Sequence, residues 1–120
     1  MPIALSKEEF EQLVEKALVQ LPRQFREKIA QENIVVLVED YPKPEIRKRT
    51  RGIILGLFHG VPRTAKSVDG FYYPDRIILY QKNIERICST EQEIEQQVIN
   101  TVKHEVGHYF GLDEDELRDV

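Results

Sequence analysis

Residues 90–111, TEQEIEQQVINTVKHEVGHYFG, most constrain what this chain can fold into. Thr90 and Glu93 have the spacing of a capping box, in which the hydroxyl accepts from the amide three residues on and the carboxylate reaches back. Ile94, Val98, Val102, Val106 and Tyr109 then recur at helical spacing and mark one apolar stripe. Gly111 is placed to stop the helix, because glycine takes the left-handed conformation that reverses a chain. A long helix running to about Phe110 is expected. Its stripe has to be covered, and the rest of the chain must supply the cover.

The candidates are short. Ser6 and Glu9 form another capping box, flanked by Leu5 and Phe10 at the spacing of a hydrophobic staple. Phe10, Leu13, Val14, Ala17, Leu18 and Leu21 make the stripe of a first helix, which Pro22 ends. A shorter helix carrying Phe25 and Ile29 should follow. Ile34 to Val38 (IVVLV) reads as a buried strand, Ile53 to Phe58 as a second and Arg76 to Gln81 (RIILYQ) as a third. Between them KPEIRKRTR reads as a surface loop and residues 59–75 as a long one, while Asn83 to Cys88 suggests a helical turn. The expected class is α+β: a small sheet of about three strands packed against helices, in one domain spanning 1–120.

Composition narrows the function classes. The net charge of −4 argues against a chain built to coat nucleic acid or an anionic membrane. No apolar run approaches the ~20 residues that span a bilayer. The acidic, helical amino terminus is unlike a secretory signal, and the lone Cys88 cannot form an intrachain disulfide, so a cytoplasmic protein is the default expectation.

The chemistry sits in the long helix. His104 and His108 are four apart, so their imidazoles stack one turn above the other on a face away from the apolar stripe. Two such nitrogens can bind one zinc ion. Glu105, one residue on, is turned by about 100° and points beside the metal, where a general base for metal-activated water stands. A catalytic zinc takes three protein ligands and keeps one position open. Beyond Gly111 the chain offers Asp113, Glu114, Asp115 and Glu116; the extended pattern HExxHxxGxx(H/D/E) favours Glu114.

HEVGHYFGLDE (104–114), with GLFHGVP (56–62), PDRIILYQKNIERIC (74–88) and, more weakly, NIVVLVEDYP, resembles the small zincin-like metallopeptidases, a minimal zincin family of bacterial proteins. The resemblance covers most of the chain. It implies a zincin-like fold with the metal motif on the long C-terminal helix, His104, His108 and Glu114 as zinc ligands, and Glu105 as base. It stops short of the metzincins, whose methionine turn has no counterpart here: the only methionine is Met1. It supplies no substrate beyond a peptide or amide bond, and no oligomeric state. In zincins a sheet-edge strand lines the cleft and pairs with the peptide; residues 76–81 are the candidate.

Other residues have plainer readings. Tyr109 and Tyr80 have hydroxyls suited to an oxyanion, yet Tyr109 lies on the apolar side of its helix and reads as core. His59 has no partner at ligand spacing. Arg47, Lys48, Arg49 and Arg51 could attract an acidic substrate or nucleic acid, but such a run is usually a solvated loop. The competing functional class is a metal-binding protein-interaction module with little or no catalysis, which so small a chain could serve.

Overall fold

The computed structural model describes residues 2–50, 52–61, 67–68 and 71–111, with backbone alone at 67–68 and 71–72. The described elements run α1 (Lys7–Val19), α2 (Arg23–Gln31), β1 (Val35–Glu39), α3 (Pro44–Arg49) and β2 (Gly56–His59). Then follow β3 (Ser67–Val68), β4 (Phe71–Tyr72), β5 (Arg76–Tyr80), α4 (Gln81–Arg86) and α5 (Glu91–Tyr109). The architecture is α+β, with a three-stranded mixed sheet and five described helices.

Both helix starts read from the sequence form. The Ser6 hydroxyl accepts from the Glu9 amide at 3.1 Å, and the Glu9 carboxylate accepts from the Ser6 amide at 3.0 Å. The Ser6 amide, and after it the Ser6 hydroxyl, hold the Glu9 carboxyl below its ordinary pKa by hydrogen bonding to its charged form. The Thr90 hydroxyl likewise accepts from the Glu93 amide. There the carboxylate of Glu93 reaches one residue further back, to the Ser89 amide at 3.2 Å, so the second box closes outside its cap. Gly111 stands at φ +70°, the left-handed stop expected of it.

The stripe of α5 buries Ile94, Val98, Val102 and Val106 completely. They meet Phe10, Leu13, Val14 and Ala17 of α1, Phe25 of α2 and the sheet residues Val38, Ile77 and Leu79 in one core cluster. At about 25 cal/mol per Å² of apolar surface removed from water, this shared burial is the main force fixing α5 to its neighbours.

The sheet order is β1-β5-β2, with β1 parallel and β2 antiparallel to β5. This corrects the sequence reading twice. The 76–81 segment, expected to line a cleft as an edge, is the central strand; Ile77, Ile78, Leu79 and Tyr80 are all buried because it is covered on both faces and paired on both sides. IVVLV is instead an edge strand with one wetted face: Val38 is buried, but Val35 and Leu37 stay about two-fifths exposed. A third correction concerns KPEIRKRTR, which holds a short helix, α3. Pro44 opens it at a position where no amide is needed. None of its residues is buried, so no apolar stripe announces it. The long 59–75 loop contains a two-residue ladder, Ser67 opposite Tyr72 and Val68 opposite Phe71. Among the described residues no helix is long and apolar enough to cross a membrane.

Helix α4 fastens the start of the chain. The buried Glu85 carboxylate accepts from the Leu5 amide at 2.9 Å and from the Gln81 side chain at 3.0 Å, and Gln81 also donates to the Leu5 carbonyl. Glu85→Ala would strand both donors, which costs about 1–3 kcal/mol. Urea unfolding should show that loss, and amide exchange at Leu5 should accelerate beyond the global change; an unaltered Leu5 rate would refute the link.

Candidate metal centre

The site is built where α5 passes along β2, an edge strand of the sheet among the described residues. Two residues of strand advance about 6.6 Å and four residues of helix about 6.0 Å, so an i, i+4, i+8 row can follow an i, i+2, i+4 row closely. Here Thr101, Glu105 and Tyr109 follow Gly56, Phe58 and Gly60. Each step is a contact. A side chain at Gly56 would come within 2.7 Å of the Thr101 methyl. The Phe58 amide donates to Glu105 Oε1 at 3.1 Å. The Phe58 ring stacks on Tyr109 with centroids 3.8 Å apart at 23°. A side chain at Gly60 would collide with the Tyr109 ring and hydroxyl.

The hydrogen bond to Glu105 also shows which way the strand edge faces. The Leu55 carbonyl accepts from the Tyr80 amide of β5. In an antiparallel pair alternate residues turn their peptide groups to opposite sides, so Gly56 and Phe58 turn theirs away from β5. Glu105 takes one of these outward donors. The neighbouring groove, about 500 Å³, runs between residues 53–57 and the side chains of Gln97, Asn100, Thr101, His104 and Glu105.

His104 and His108 lie in α5 one turn apart, both exposed, on the row adjoining Glu105. Their ring centroids are 4.1 Å apart with planes at 40°. The two imidazoles therefore lie against each other on one side of the helix. Among the described residues no group of three or more His, Cys, Asp or Glu side chains could hold a metal ion. Asp113, Glu114, Asp115 and Glu116 lie outside the described residues, so the expected third ligand does too.

The secondary candidates resolve differently. Tyr109, expected in the core, is half exposed, because α5 has by then run past the core onto the sheet edge. Tyr80 is fully buried, and its hydroxyl has no hydrogen-bond partner among the described residues. Burial pushes its pKa up, helped by the negative charges of Glu39 and Glu105. It is a core residue and not a groove donor. His59 ends β2, exposed, alternating to the face opposite Phe58. Sequence reasoning missed Phe58, whose contribution is a backbone amide. The available signal was the spacing of Gly56, Phe58 and Gly60 against Thr101, Glu105 and Tyr109.

A family model described as zincin-like metallopeptidase matches residues 31–120. The chain belongs to that family. The matched span takes in every described strand of this zincin-like chain as well as α5. No curated protein matches it significantly. Among solved structures, a conserved hypothetical protein from T. thermophilus is similar at 21% identity, over 88% of this chain and 94% of that one, with a TM-score of 0.55. At that identity the likeness is one of fold.

The close approach of β2 to α5 is testable. Gly56→Ala should destabilise the protein by about 1–3 kcal/mol through overpacking. Adding Thr101→Ser removes the methyl it meets and should recover part of the loss in thermal unfolding. Equal stability of the single and double variants would show that this contact does not set the spacing.

Proposed function

We propose that the protein is a zinc-dependent peptidase that hydrolyses a peptide or amide bond, with Glu105 as general base. The observation that carries this reading is the packing of His104 against His108 one turn apart while Glu105 beside them is anchored to the Phe58 amide of β2. The donor set suits zinc: two exposed imidazoles at helical spacing, with acids following the Gly111 bend. Glu114 is the proposed third ligand, with Asp113, Asp115 and Glu116 as its rivals. When bound, zinc supplies Lewis-acid polarisation and a more acidic water.

The chain's own residues do the rest. The Phe58 amide holds Glu105 Oε1 and so orients the carboxylate toward the groove. Glu105 removes a proton from the attacking water and returns it to the leaving nitrogen as the amide bond breaks. The substrate lies extended along β2, where the outward peptide groups that Glu105 leaves free can pair with it. Residues 76–81, expected from the sequence in that role, do not fit it, because β5 has no free edge. A peptide, and not nucleic acid or lipid, is the partner this edge suits.

The test combines metal content with turnover. Glu105→Gln should keep its zinc by mass spectrometry and lose on the order of 10²–10⁴ in peptide hydrolysis. His108→Ala should lose the metal itself. Should the zinc-loaded wild type and Glu105→Gln treat a broad peptide library alike, the enzyme reading fails and a metal-binding interaction module replaces it.

A further inference from the structure

The groove beside β2 does not end at the strand. Ile53 and Ile54, which form its far wall, also line a second pocket of about 220 Å³. Among the described residues the charged side chains around that pocket are Arg47, from α3, and Arg86, from the end of α4. Both are exposed, and neither has an ion-pair partner among the described residues. The pocket is held from two sides. Arg47 Nε donates to the Pro42 carbonyl at 3.0 Å, which ties the arginine to the corner before its helix. The buried Asn83 side chain donates to the Ile54 carbonyl at 2.9 Å, which ties α4 to the approach of β2.

We propose that this pocket is a specificity subsite for a carboxylate of the peptide substrate. The proposal rests on the peptidase reading of the groove and adds the substrate class. A peptide extended along β2, with its reacting bond at Glu105, continues toward Ile54 and Ile53. Ile54 and Ile53 lie four and five residues before Phe58, just past the start of β2 at Gly56. A side chain or chain end there enters a cavity with room for one such group. Two guanidinium groups with no acid among the described lining residues favour an anion, and their planar donors fit a carboxylate. The isoleucine walls and the overall charge of −4 favour a peptide over a phosphate chain. The basic run that reads as a solvated loop thus has a use for one of its members, Arg47.

Peptide binding tests this without relying on turnover. The probes are fluorescein-labelled alanine-rich decapeptides with one glutamate at each position in turn, their glutamine counterparts, and free-acid and amidated forms of each. Fluorescence anisotropy with the zinc-loaded protein should show roughly tenfold tighter binding when a carboxylate reaches the pocket. A preference that follows the glutamate position assigns the carboxylate to a side chain; one that follows the free acid assigns it to the chain end. Arg47→Glu with Arg86→Glu should erase the preference, and the milder Arg→Gln pair should reduce it, with the fold of each variant checked by circular dichroism. Equal affinity for glutamate and glutamine peptides, together with equal affinity for free-acid and amidated forms, overturns the proposal, as does stronger competition from a single-stranded oligonucleotide than from acidic peptide. Charge-dependent binding without cleavage keeps the subsite and removes the peptidase reading; cleavage without a carboxylate preference does the reverse.

Discussion

The 3.1 Å hydrogen bond from the Phe58 amide to Glu105 joins residues 47 apart in the chain, and the candidate site is arranged around it. It exists because a helix row and a strand row of nearly equal pitch lie side by side. Gly56 and Gly60 let the backbones approach, while Thr101 and Tyr109 fill the steps on either side of Glu105. The same docking turns His104 and His108, one position back on the helix, into the open. Burial of Val98, Val102 and Val106 sets the rotation of α5, and that rotation decides which of its polar residues meet β2. The core and the site are therefore one packing problem.

What was legible in the sequence was local. Ser6 with Glu9, Thr90 with Glu93 and the Gly111 stop depend on groups within a few residues, so spacing alone announces them. The histidine pair is legible for the same reason. The α3 helix was not, because an exposed helix of six residues needs no apolar stripe.

The order of the strands was not legible either. IVVLV and RIILY are both apolar and β-branched, and nothing within either run says which lies at the edge; the pairing partners decide it. Tyr109 was misplaced because its stripe changes neighbours along the helix, from the core to Phe58. Periodicity reports a face and not what covers it. The Phe58 amide is marked in the sequence only indirectly, by the spacing of its flanking glycines, since every residue but proline has an amide. Its importance is visible only once β2 is known to face outward.

The outward edge of β2 has a consequence for how the molecule meets copies of itself. A strand with unpaired donors and acceptors is a template for any other extended chain, and unguarded edges lead to aggregation. Here one donor is already taken by a carboxylate, and the flanking glycines offer no apolar side chain to grip. A second molecule pairing there would have to displace and desolvate Glu105. The charge seated on the edge makes this strand selective about company, tolerating a partner only when something else stabilises the exchange.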